Sequence, residues 1–142
     1  MMEKHLCAVA LLLGLAAHAL AADDAGRAYV RAGSDTLIRA CTQNGHTLSI
    51  LARPGVAVPA GGSAPAGLPV EPFMQGLTSL VRQQVGLLPH GDFLRPDSDG
   101  TRRLSDAVEQ WMDRFNREHG VQLAWSIADF GVSDSPQADC AR

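Results

Sequence analysis

The apolar run Leu6–Ala17, LCAVALLLGLAA, constrains this chain more than any other feature, because it decides which residues are left to fold and in what surroundings. A short charged start at Glu3, Lys4 and His5 precedes it, and HALAA with the acidic pair Asp23–Asp24 follows. Small residues at Ala19 and Ala21 give the A-x-A shape that signal peptidase reads, which places cleavage between Ala21 and Ala22. The run is short against the roughly 20 apolar residues needed to cross a bilayer. Residues 1–21 therefore read as an export signal, with an uncleaved inner-membrane anchor over Leu6–Ala22, interrupted only by His18, as the alternative. Cys7 precedes most of the run and lacks the small-residue context of a lipidation site. The expected address is periplasmic or secreted.

Residues 22–142 are enough for one domain with a modest core. Beyond Lys4 every Lys or Arg position is an arginine, interspersed with acids in a chain whose formal net charge is −3. No basic stripe exists to displace phosphate counterions, so nucleic acid is not an expected partner. Cys41 and Cys140 are the two cysteines past the leader, and an even count in an exported chain argues for a disulfide. Two buried thiols or a bond between chains stay open as alternatives. A bond within the chain would close a loop of about 100 residues, worth up to about 4–5 kcal/mol in the chain-entropy picture.

Residues 23–35 are polar and read as a lead-in. Thr36–Thr42 and Thr47–Ala52 read as two strands, joined through Asn44–Gly45, a hairpin dipeptide in which both residues accept positive φ. Residues 53–72, RPGVAVPAGGSAPAGLPVEP, hold five of the eight prolines together with Gly55, Gly61, Gly62 and Gly67. That composition predicts a flexible loop enclosing at most a short strand at Val56–Val58. Phe73–Val85 then reads as an amphipathic helix, with Pro72 in its first turn and Gly86 at its stop; Phe73, Leu77, Leu80, Val81 and Val85 share one face. A second helix covers about 102–119, with Leu104, Val108, Trp111 and Phe115 on one face and Gly120 placed for a left-handed cap. Val121–Phe130 alternates as a strand, with Val121, Leu123, Trp125 and Ile127 on the buried side. The order β-hairpin, helix, helix, strand predicts a single small α+β domain.

No catalytic signature stands in the sequence: there is no G-x-S-x-G, P-loop, dinucleotide fingerprint, C-x-x-C or H-E-x-x-H. His46, His90 and His119 lack ligand spacing. His46 fits a hairpin turn, and His119 a helix C-terminus where a cation is favoured. The stretch RPDSDGTRRLSD puts Asp97, Asp99, Gly100 and Asp106 near a calcium-loop spacing, but Arg95 takes the first ligand position and repels the ion. A turn followed by a helix capped by Ser98, Asp99 or Thr101 accounts for the same residues. Asp92 with Asp97, and Asp106 with Glu109, lie in loop or solvated-helix settings that do not tune a carboxylate. A nucleophilic Cys41 would have to be a free thiol. Trp111 and Trp125 fall on apolar faces and are expected in the core.

The stretch IRACTQNGHTLSILARPGVAV, with Thr42, Asn44 and Gly45, resembles the opening sheet of the SPFH or Band 7 family (stomatins, prohibitins, flotillins), where a strand ends in Thr-x-Asp-Gly. The stretch from Phe73 to Val132 is similar to that family's helix, R-x-x-V/I-G segment, second helix and final strand. The matching residues are Leu80, Arg82, Val85, Gly86, Phe93, Arg103, Leu104, Val108, Phe115, Gly120, Val121, Leu123 and Ile127. The resemblance covers about 36–132. It departs from the family in its cysteine pair, its Pro/Gly-rich segment 53–72 and the absence of a long coiled coil before Arg142. It implies an SPFH-like α+β domain acting as a non-enzymatic, membrane-associated scaffold or modulator of membrane proteins at the periplasmic face, with no catalytic residues and no cofactor. Homo-oligomer formation stays open. A soluble periplasmic inhibitor or immunity-type protein that binds an enzyme or toxin is the expectation from a different class.

Overall fold

The computed structural model describes residues 27–88, 98–133 and Cys140. The proposed cleavage site at Ala21 and Ala22, together with Asp92, Asp97, His90 and Phe93, lies outside the described residues. In chain order the elements are β1 (Arg27–Arg31), β2 (Thr36–Cys41), β3 (Thr47–Pro59), α1 (Val70–Gly86), α2 (Asp99–His119) and β4 (Leu123–Ser133). They form an α+β domain: a four-stranded antiparallel sheet with both helices on one face.

The largest departure from the sequence reading concerns residues 53–72. Residues 53–59 are not loop; β3 continues through them to Pro59, and the helix begins at Val70 rather than Phe73. The alternation that composition obscured is present: Leu48, Ile50, Ala52, Pro54, Val56 and Val58 are buried, and the residues between them are partly exposed. Pro54 is tolerated in this strand because of where its missing N–H points. The Pro54 carbonyl accepts from Ala32 N–H at 3.0 Å. In extended backbone a residue's N–H and C=O share an edge, so the absent donor faces the same side. There four residues, 32–35, stand opposite only Arg53 and Pro54, and the ladder is already interrupted by this bulge.

The residues 23–35 read as a polar lead-in contain β1, which pairs with the far half of β3 from Arg27↔Pro59 to Arg31↔Gly55. β2 pairs with the near half, from Thr36↔Ala52 to Cys41↔Thr47. β4 runs along β3 from Val56 to Thr47. β1 and β2 therefore lie end to end on the opposite edge of β3, as one strand broken by the bulge. The hairpin at the β2–β3 turn also differs in detail. Gly45 alone adopts positive φ, 81°, and its N–H bonds the Thr42 carbonyl, so Asn44 keeps an ordinary conformation. This is the three-residue hairpin, a turn followed by a left-handed glycine, rather than the two-residue form.

A second bulge lies in β4, where Leu51 pairs with Asp129 but Ala52 with Ile127, leaving Ala128 as the extra residue. It shifts the alternation: Leu123, Trp125 and Ile127 are buried before it, and Phe130 and Val132 pack on the core after it. The helix ends follow elementary capping. Ser98 Oγ accepts from Thr101 N–H at 3.1 Å, and Gly120 closes α2 in the left-handed region at φ 64° with its N–H on the Asn116 carbonyl. Asn116 also clamps the start of β4, donating to the Leu123 carbonyl at 2.8 Å and accepting from its N–H at 3.0 Å.

The helices meet through aromatic rings. Phe73, with no exposed surface, lies 5.3 Å between centroids from both Trp111 and Phe115. Each such ring pair is worth about 0.5–1.5 kcal/mol beyond its burial. Gly76 makes this approach possible, because a Cβ at that position would overlap the Trp111 ring. Gly76→Ala is expected to destabilise the domain by about 1–3 kcal/mol despite its better helix propensity, since overpacking outweighs the propensity gain of up to about 1 kcal/mol. Urea unfolding followed by tryptophan fluorescence checks this, and an unchanged or raised midpoint would contradict it.

Candidate functional site

Among the described residues the helices cover one face of the sheet and no element covers the other. Register places Tyr29, Arg31, Leu37, Arg39, Ser49, Leu51, Arg53, Gly55 and Ala57 on that open face. Leu37 is 60% exposed there. At its centre, over β3, a depression of about 120 Å³ is lined by Tyr29, Arg31, Arg53, Gly55, Ala124 and Ser126. Gly55 forms part of its floor, where a Cβ would stand 3.4 Å from the Val30 carbonyl. Tyrosine and arginine are both enriched at protein-binding surfaces.

An ion cluster holds the bulge beside this depression. Arg53 donates to Asp35 through two nitrogens, Nε to Oδ1 at 3.0 Å and a terminal nitrogen to Oδ2 at 3.1 Å. Arg31 approaches the same carboxylate at 3.5 Å. The Arg53 hydrogen bonds hold the Asp35 carboxyl below its ordinary value, the Arg31 and Arg53 charges add to this, and burial opposes it. The same pairing raises Arg53. Fork-to-carboxylate geometry ties the bulge, where the ladder along β3 is broken between β1 and β2, to the central strand.

At the other end of β2, Cys41 and Cys140 stand at disulfide distance, with Cα atoms 5.8 Å apart and a sequence separation of 99. This is the pair expected from the cysteine count, brought together within one chain.

The remaining chemical groups are dispersed. His46, near the hairpin tip, sits 3.3 Å from the Ser133 carbonyl, whereas His119 donates to the Phe115 carbonyl at 2.9 Å and stacks on that ring. The two are thus at opposite ends of β4. Asp99 and Gly100, considered for a calcium loop, belong to the first turn of α2, where Asp99 pairs with Arg102. Asp106 and Glu109 are exposed on α2. Trp125 is buried in the core and Trp111 packs between helices, as their apolar faces required. Among the described residues no three His, Cys, Asp or Glu side chains gather as a metal site, and no helix is long and apolar enough to cross a membrane. Sequence reading missed the Asp35–Arg53 pair, because the two residues are 18 apart and lie in segments read as lead-in and loop. Comparison with family models, curated proteins and solved structures finds no match to this chain.

Two outcomes follow for stability. Because the Asp35 carboxyl is depressed in the folded state, its contribution is present above the ordinary aspartate value of about 4 and is lost as pH falls through the lower folded value. The stability gap between the wild-type protein and Asp35→Asn should therefore be full at pH 7 and close below about pH 4, as read by thermal melts across pH. A gap independent of pH would contradict the ion-pair account. Cys140→Ser should lower stability by up to about 4–5 kcal/mol under oxidising conditions and change nothing once both proteins are reduced.

Proposed function

We propose that this chain is an exported, non-enzymatic protein-binding domain, an SPFH-like scaffold or modulator of membrane proteins at the periplasmic face of the inner membrane. The observation that carries the reading is the open sheet face, where exposed Leu37 stands opposite Leu51, and Arg53, Arg31 and Tyr29 follow farther along the same face. Two further features support it. The order of hairpin, two helices and final strand, from Thr36 to Ser133, coincides closely with the stretch of about 36–132 that carries the family resemblance. Three hydrogen-bonding side chains serve the architecture: Ser98 a cap, Asn116 a strand start, Arg53 the bulge. The proximity of Cys41 and Cys140 favours a second reading, a soluble periplasmic inhibitor or immunity-type protein, because a bonded small domain suits free existence in an oxidising compartment.

Cell fractionation with N-terminal sequencing separates the two. The scaffold reading expects the protein in the inner-membrane fraction, recovered in mild detergent with a larger membrane protein. Leu37→Asp should reduce that recovery about tenfold or more while leaving the melting temperature within a few degrees. A soluble monomer beginning at Ala22 that purifies one-to-one with a periplasmic enzyme would replace the scaffold with the inhibitor.

A further inference from the structure

Helix α1 runs beside β2 in the same direction, along the edge of the sheet that β3 leaves unpaired. Val70 packs against Gly33 at the start, Arg82 Nε donates to the Arg39 carbonyl at 2.9 Å in the middle, and Gly86 stands near the Cys41 carbonyl at the end. Between helix and strand a groove of about 750 Å³ opens. Gly33, Ser34 and Thr36 line it from the strand side, and Met74, Thr78 and Arg82 from the helix.

Hydrogen-bond parity tells what the edge offers. Thr42 N–H bonds the His46 carbonyl inside the hairpin, so even-numbered residues of β2 face β3 and odd-numbered ones face outward. The Arg39 carbonyl, taken by Arg82, agrees. Leu37 N–H and C=O therefore point outward together, with no partner among the described residues. A single residue with both groups outward is what an added strand pairs with.

Charge narrows the occupant. Arg82 is exposed and forms no ion pair among the described residues, and its Nε alone is held by the Arg39 carbonyl. About three turns earlier on the same helix, Glu71 marks the opposite end of the groove. The intervening length of about 16 Å suits about five extended residues. We propose that this groove takes an extended peptide segment of a protein partner as an added strand against β2, with an acidic side chain of that segment on Arg82. The proposal rests on the protein-binding reading above and names the chemistry of the partner.

Selection of random octapeptides displayed on phage against the full exported protein, followed by titration of the winning synthetic peptide, tests it. The selected sequences should share one Asp or Glu position within a β-branched run. In amide NMR spectra the peptide should shift Leu37 and residues along 71–82. Arg82→Gln should weaken binding at least tenfold and equalise the acidic peptide with its amide counterpart. Leu37→Pro, which removes one outward N–H and leaves the pairing with β3, should weaken it as well, with circular dichroism unchanged. Selected peptides without an acidic position, indifference to Arg82→Gln, or shifts mapping to another surface would each overturn the proposal. So would sedimentation as a dimer that Leu37→Pro dissociates, since the edge would then belong to a second copy. If Arg82→Gln fails to affect peptide binding while membrane co-fractionation persists, the groove is refuted and the protein-binding reading stands; loss of co-fractionation in the wild-type protein refutes the reading itself.

Discussion

The fold depends on the burial of one face of β3. Among the described residues, every other strand pairs with this thirteen-residue strand, and its even-numbered residues form the floor on which the two helices rest. A strand paired on both edges would ordinarily exclude proline, yet Pro54 sits in its middle. The contradiction is resolved locally: the donor that proline lacks points to the two-residue excess at 32–35, and the Asp35–Arg53 fork ties that excess to the strand. The bulge, the proline and the ion pair are thus one device, and none of the three is intelligible alone.

The helices were legible in sequence because their periodicity is strong and their ends carry chemistry of their own. Phe73, Leu77, Val81 and Val85 on one helix, and Leu104, Val108 and Phe115 on the other, are buried as the 3.6-residue period required. Ser98 and Gly120 mark the second helix to within a few residues by simple cap logic. The last strand was visible up to Ile127, and its phase change past Ala128 was not, because a bulge leaves no compositional mark.

The central strand failed the same reading for a physical reason. Proline and glycine lower the expectation of a strand by what they do on average: one removes a donor, the other adds freedom. In β3 both average effects are cancelled by position, Pro54 by the bulge and Gly55 by its place on the floor of the open face. Alternation at Val56 and Val58 was a correct trace of the strand that composition overrode. The open face itself could not be read from sequence, since its members come from four strands and become neighbours only through register. Cys41 and Cys140 were the exception: an even count past the expected leader pointed to the pair that the fold brings to bonding distance.

The covalent link has a topological consequence. A bond between Cys41 and Cys140 closes a ring that contains β3, both helices and β4, and leaves β1 and most of β2 outside it. β1 is joined to the body by five paired positions and is separated from β2 by the bulge. It can therefore peel away as a unit, exchanging its amide hydrogens early, while the ring and its hydrophobic centre stay shut. Tension arriving through the polypeptide from the direction of Arg27 would be relieved at that first strand, making it a mechanical fuse ahead of the closed body.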